Sequence, residues 1–269
     1  MAPKTLAFKC ALVTGGGGGI GLAMSRHLIS LEIKVIIVGR TEKTLAEAAK
    51  ELGNDTVYYV LDTGNIPAIQ DFCQKVIQEH PEVDCLINNA AVQKPLDINK
   101  FDLESADQEI DINIRGPMHL TIGFLEHFKS KPAATIMNIS SLLGYIPTSI
   151  INPVYNATKA WMHFWTMNLR TQLANDERGK NIKVVEIAPP TVATNLHRDR
   201  EDPDDNKKEN NKKSLSLPEF MEFVAKGWKK DQDTIGAGMA QGVVAQWYET
   251  FGQDYEEAEK ATAPPKKSE

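Results

Sequence analysis

Cysteine is scarce. The 269 residues hold three, Cys10, Cys73 and Cys85, odd in number, far apart and each set in an apolar stretch. That excludes a disulfide framework and fits buried, reduced thiols. The six histidines form no HExxH-like cluster, so no metal site is expected. No apolar run approaches the ~20 residues that span a bilayer. Residues 1–9 contain no apolar core of signal-peptide length. A cationic surplus is also missing: 36 acidic residues face 30 Lys and Arg, a net charge of −6. This argues against general affinity for nucleic acid or anionic membranes. There is no internal repeat. The expectation is a cytoplasmic enzyme with one large α/β domain.

Glycine, by contrast, is concentrated. Thr14-Gly15-Gly16-Gly17-Gly18-Gly19-Ile20-Gly21 lies between a short apolar run, residues 8–13, and a helical pattern carrying Leu22, Met24, Leu28 and Ile29. Strand, glycine turn and helix form the context in which such a run binds a dinucleotide. Glycine lets the backbone pass close to a pyrophosphate. The helix N-terminus then offers free amide donors and a positive dipole end. A second strand, residues 34–38, ends at Gly39-Arg40-Thr41. An acid there would take a ribose 2′-hydroxyl, whereas an arginine accepts a 2′-phosphate. Arg40, with no acid beside it, favours NADP over NAD.

Strands and helices then alternate. Residues 56–61, 84–87, 135–139 and 182–187 read as strands. Residues 42–52, 105–128 and 155–174 read as helices. The alternation implies a parallel sheet covered on both faces, with functional residues at the carboxyl ends of the strands. Those ends carry Asp62, which could meet an adenine edge or cap the next helix. They also carry Asn88 and Asn89, which could tie strand ends together, and Ser140 and Ser141. Tyr155 and Lys159, four apart, share one helix face. Of the six tyrosines only Tyr155 has a lysine four places on. An ammonium beside a phenol favours the phenolate and lowers a pKa that is ordinarily near ~10. Such a pair can give and take a proton.

These pieces, with Asn113, Asn138 and the stretch from Pro189-Pro190 to Thr194, resemble the short-chain dehydrogenase/reductase family over about residues 8–195. Pro-Pro-Thr-Val-Ala-Thr-Asn-Leu and the charged insert after it are most similar to a branch known from bacterial D-alanyl-teichoic-acid loci and fungal relatives. The resemblance implies a single Rossmann-type, doubly wound α/β domain and a catalytic tetrad of Asn113, Ser141, Tyr155 and Lys159. Alongside Arg40, it implies NADP contacts from Gly15, Gly17, Gly19, Ile20, Gly21, Asp62, Asn89, Ala90, Tyr155, Lys159, Pro189, Val192 and Thr194. In that scheme Ser141 polarises a carbonyl oxygen and Tyr155 gives it a proton. Lys159 lowers the tyrosine pKa and holds the nicotinamide ribose. Asn113 positions a water that resupplies the proton. Three positions depart from the family pattern. Ala91 follows Asn-Asn-Ala where the family has glycine, and Pro190 replaces the glycine after Pro189. Ser141 precedes Tyr155 by 14 positions, one more than usual, which leaves Ser140 as an alternative. The family's C-terminal strand is not recognisable, although residues 233–235 could supply a short substitute.

Residues 197–214 hold 12 charged side chains and no large apolar one, and read as a mobile surface loop. From Ser216 an amphipathic helix follows, with Leu217, Phe220, Met221, Val224 and Trp228 on one stripe. The stripe needs a surface, and the open cleft offers one. Residues 196–228 therefore read as a lid within a single domain of residues 1–254. A further helical pattern, residues 235–251, precedes a frayed, flexible tail, residues 255–269. Val92, Leu142, Leu143, Tyr145, Ile146 and Ile150 near the expected mouth point to a small, mainly apolar substrate. Helices apolar on more than one face point to a homodimer, with a homotetramer left open. Two functions compete. One is an NADPH-dependent carbonyl reductase, reversible as an alcohol dehydrogenase. The other is a non-redox isomerase or cyclase, or a dinucleotide-sensing interaction protein. A complete tetrad favours the first.

Overall fold

The computed structural model describes residues 4–53 and 55–262. Seven strands form one parallel sheet in the order β3-β2-β1-β4-β5-β6-β7. They are β1 (Cys10–Thr14), β2 (Lys34–Gly39), β3 (Val57–Val60), β4 (Cys85–Asn88), β5 (Ala134–Ile139), β6 (Ile182–Ala188) and β7 (Thr234–Gly236). The central strands are buried along their whole length. This is why their sequences run apolar without alternation. The chain winds outward from β1 to β3, then crosses back to β4. The order therefore reverses between β1 and β4, and a crevice opens there at the carboxyl edge.

Helices cover both faces. On one side α1 (Gly19–Ser30), α2 (Glu42–Leu52) and α7 (Leu217–Lys229) bury Met24, Leu28, Leu45, Phe220 and Trp228 against the sheet. On the other, α3 (Ile66–Glu79), α5 (Gly116–Lys129) and α6 (Pro153–Asn175) bury Ile69, Phe72, Phe124, Phe128 and Leu169. The remaining helices are α4 (Leu103–Ile110) and α8 (Ala240–Thr262). No helix among the described residues is long and apolar enough to cross a membrane. All three cysteines are free and buried, and burial pushes the Cys10 and Cys73 thiols up to about 12.

Four features differ from the sequence reading. The long helix expected over residues 105–128 is two helices, α4 and α5, joined by a π-type turn at Asp111–Arg115. Pro117 has no N–H for the carbonyl of Asn113, and Gly116 N–H reaches back to Asp111 O instead. The extra residue in the turn accompanies a fully buried Asn113. By contrast, the short strand that residues 233–235 could supply is present, as β7 beside β6.

The amphipathic helix expected over the cleft is α7, and its stripe faces elsewhere. Phe220, Val224 and Trp228 sit in the core beside Met24 and Leu28 of α1. A capping box starts this helix: Ser216 N–H donates to Glu219 Oε2 at 2.8 Å and Glu219 N–H to Ser216 Oγ at 3.4 Å. The charged segment before it also packs, through hydrogen bonds. Asn206, 1% exposed, donates to Val192 O and Thr194 O. Lys207 Nζ donates to Thr194 O at 2.7 Å, and Ser214 Oγ to Asn206 O at 2.6 Å. Paired donors and acceptors let His197, Asn206 and Ser214 be buried within a largely exposed segment.

The helical pattern expected to end near residue 251 continues in α8 to Thr262. Tyr255, the first residue of the expected tail, donates its hydroxyl to Met167 O at 2.8 Å. Residues 263–269 lie outside the described residues.

Candidate active site

The glycine turn between β1 and α1 opens on a cavity of about 620 Å³ at the carboxyl edge of the sheet. No side chain caps α1 at Gly18, so its first amides lack intrahelical acceptors and face a site with a positive dipole end. A Cβ at Gly18 would meet nothing within 4 Å, whereas one at Gly21 would lie 2.4 Å from Gly15 O. Gly19 holds φ +53°, a conformation that favours glycine. Gly15, Gly19 and Ile20 line the cavity; Gly17 and Gly21 do not. Gly17 faces Thr44 of α2, and Gly21 is small so that α1 can meet the turn.

The same cavity reaches Arg40, Asp62, Asn89, Ala90, Pro189, Val192 and Thr194. Arg40 has no acidic partner among the described residues. Asp62 Oδ1 accepts Gly64 N–H at 2.9 Å, closing a turn before α3 instead of capping the helix. The asparagines tie the strand ends together. Asn88 Nδ2 donates to Asn138 Oδ1 at 2.8 Å, and Asn138 Nδ2 to Thr166 Oγ1 at 2.9 Å. Asn89 Nδ2 donates to Thr14 O at 2.8 Å, joining β4 to the glycine turn.

Tyr155 and Lys159 project from α6 into this cavity, with Lys159 Nζ 5.5 Å from the centroid of the Tyr155 ring. Lys159 Nζ donates to Ile139 O at 2.8 Å. Ser140 and Ser141 both line the cavity, but their side chains differ. Ser140 donates to the buried Glu186 at 2.6 Å. Ser141 Oγ accepts Leu143 N–H at 3.1 Å, and its hydroxyl acts on the Tyr155 phenol. Asn113 does not line the cavity. Its Oδ1 accepts Val92 N–H at 3.0 Å, and its Nδ2 donates to Val92 O and Thr158 Oγ1. Its side chain is thus spent on holding the Val92 backbone and α6.

The electrostatics differ from expectation. Burial is the largest influence on the Tyr155 phenol and raises its pKa above the ordinary value, with the charge of Glu109 adding to the rise. The Ser141 hydroxyl and the Arg200 charge pull it down without offsetting burial. Lys159 is pushed down to about 8 by burial, opposed by Glu109. A phenol that stays protonated is a donor first.

The short chain dehydrogenase family matches residues 9–205 of this chain. The chain belongs to that family. It is 34% identical over 236 residues to an uncharacterized oxidoreductase, DltE, of Bacillus subtilis, covering 86% of this chain and 89% of the relative. The match agrees with the branch indicated by the Pro-Pro-Thr-Val stretch. The NADP-dependent 3-hydroxy acid dehydrogenase YdfG of Escherichia coli is 33% identical over 67% of this chain and 71% of its own length. A short-chain dehydrogenase from Sphingobium yanoikuyae, solved in complex with NADPH, shares the fold with a TM-score of 0.79. It covers 97% of this chain and 98% of its own, at 19% identity.

This short-chain dehydrogenase also holds residues that its sequence does not advertise. Glu109 on α4 is fully buried beneath the site. Its Oε1 accepts Lys94 N–H at 3.3 Å, and its Oε2 has no partner among the described residues. Burial pushes its carboxyl up to about 7. Glu186 of β6 joins Ser140 to His163, whose Nδ1 lies 2.9 Å from Glu186 Oε2. Tyr145, expected at the mouth, instead packs on His163 with ring centroids 4.1 Å apart. Ile146 and Ile150 also lie off the lining, whereas Gln93, Arg198, Arg200 and Asp205 are on it. The substrate side is therefore more polar than the sequence suggested.

Proposed function

We propose that this chain is an NADP(H)-dependent oxidoreductase that moves a hydride between the nicotinamide and a carbonyl or alcohol carbon of a small substrate. The observation that carries this reading is the convergence of Ser141, Tyr155, Lys159 and the glycine turn on one cavity. The open space at Gly18 and the uncapped amides of α1 fit a pyrophosphate. Arg40 would hold the 2′-phosphate, and the NADP dependence named for the YdfG relative supports that choice. Lys159 would hold the nicotinamide ribose. When bound, the nicotinamide supplies or accepts the hydride.

The chain's own residues handle orientation and the proton. Ser141 donates a hydrogen bond to the substrate oxygen and fixes it beside Tyr155. Tyr155, kept protonated by burial, donates the phenolic proton to that oxygen in reduction and takes it back in oxidation. Asn113 acts one step removed, as a positioning residue for Val92 and α6. The exposed apolar side chains of Ile122 on α5 and Phe164 on α6 support a two-fold pairing of subunits.

The test is loss of NADPH absorbance with a panel of ketones, aldehydes and keto acids. Turnover with at least one class, faster with NADPH than NADH, is the expected result. Tight NADPH binding with no turnover across the panel would favour a non-redox role.

A further inference from the structure

The glycine turn, Ser141, Tyr155 and Lys159 account for part of this cavity. They do not account for the polar wall beside Tyr155. It is built by the segment after β6, which folds back so that Arg200 meets the loop after β4. Arg200 Nη2 donates to Gln93 Oε1 at 2.7 Å, and Nη1 to Asp205 Oδ2 at 2.6 Å. Its Nε–H is buried with no partner among the described residues.

The arrangement is rigid. Gln93 is 2% exposed and follows Val92, whose N–H and C=O are both held by Asn113. Asp205 is anchored a second time by His197. The fork of Arg200 is therefore held before any ligand arrives, and Nη1 and Nη2 each keep a second N–H.

Charge points the same way. The lining carries Arg40, Lys159, Arg198 and Arg200 against two acids, Asp62 and Asp205, and the buried Glu109 also acts on Tyr155. Arg200 lies close enough to the phenol to pull its pKa down. A guanidinium presents parallel donors that match a carboxylate.

We propose that Arg200, held by Gln93 and Asp205, forms a carboxylate subsite, and that the substrate is a short-chain keto or hydroxy acid. This rests on the oxidoreductase reading above. In the reducing direction the carbonyl carbon of the keto acid gains the hydride from NADPH. Its oxygen gains the proton of Tyr155, giving the hydroxy acid and NADP+. The carboxylate stays on Arg200 throughout and sets which carbonyl faces Tyr155.

Three isosteric pairs test this: pyruvate with 2,3-butanedione, acetoacetate with 2,4-pentanedione, and levulinate with 2,5-hexanedione. Each pair replaces a carboxylate by an acetyl group. The parent should prefer the acid in at least one pair by ~10-fold or more in kcat/KM. Arg200→Met should erase that preference, the acid losing ~10–100-fold more kcat/KM than the dione, chiefly through KM. Arg200→Lys should recover part of the preference, which a purely structural clip would not do. A parent that favours the dione in every pair, or an Arg200→Met variant that loses acid and dione equally, overturns the proposal.

Thermal shifts of the NADPH-loaded protein provide a readout independent of turnover. The acid, and not the dione, should raise the Tm of the parent, and Arg200→Met should abolish the shift. If no compound is turned over yet this shift holds, the redox reading falls and the subsite stands. Equal shifts in parent and Arg200→Met remove the subsite.

Discussion

Ser140 donates its hydroxyl to Glu186 Oε1 at 2.6 Å, with both residues out of solvent. That bond distinguishes two adjacent serines. Ser140 is committed to the core, which is why Ser141 is the one proposed for the substrate oxygen. Ser141→Ala should cut kcat/KM for carbonyl reduction by ~10²-fold or more, the cost of removing one oriented donor. Ser140→Ala should keep turnover within ~10-fold and lower stability instead, by about 1–3 kcal/mol, because a buried carboxylate oxygen loses its donor. Paired kinetics and urea unfolding separate the two. A larger kinetic loss in Ser140→Ala would reverse the assignment.

Cofactor choice rests on Arg40 at the end of β2. Arg40→Ala should weaken NADPH ~10²-fold and leave NADH within ~3-fold, since only the former carries the 2′-phosphate. Isothermal titration with both cofactors measures this. Equal losses would place Arg40 outside the cofactor site.

Glu109 makes a prediction about stability and pH. Its carboxyl is pushed from an ordinary 4.5 up to about 7 in the folded chain. Between those values the folded chain holds a proton that the unfolded chain lacks, so this group's contribution to stability falls as pH rises. Glu109→Gln cannot ionise. The variant should therefore gain on the parent by roughly 2 kcal/mol between ~pH 5 and ~pH 7.5. Lys159, pushed down to about 8, acts mainly in a higher window. Parallel stability profiles for parent and variant would show that Glu109 ionises freely.

Much of the site was legible because the family chemistry is local. Tyr155 and Lys159 lie one helical turn apart, and Ser141 and Asn89 lie at strand ends that the alternation of apolar runs reveals. What escaped depends on distant contacts. Glu109 sits among Asp107, Gln108 and Asp111, a pattern that reads as a solvated helix face; packing of α4 on α6 buries it. Arg200 is one charge in a run of 12, and its partner Gln93 lies 107 positions away. The stripe on α7 showed that the helix is buried, not where. The burial around Tyr155 is hidden for a related reason. Spacing shows which charge is near a phenol, but the depth of burial that outweighs it comes from the whole fold.

Association is testable at two residues. Ile122 on α5 and Phe164 on α6 are 55% and 52% exposed in the single chain. A partner subunit covering them would make the chain a dimer at micromolar concentration. Phe164→Asp should then shift the light-scattering mass toward one chain. A monomeric parent would contradict the pairing.

The central claim is that Tyr155 delivers the proton. Its most direct test is single-turnover oxidation of NADPH by Tyr155→Phe, using the carbonyl compound that the parent reduces fastest. The variant keeps the ring and loses only the hydroxyl. The account predicts a rate at least ~10²-fold below the parent, with NADPH affinity within ~3-fold. A near-parental rate under saturating NADPH and substrate would contradict it.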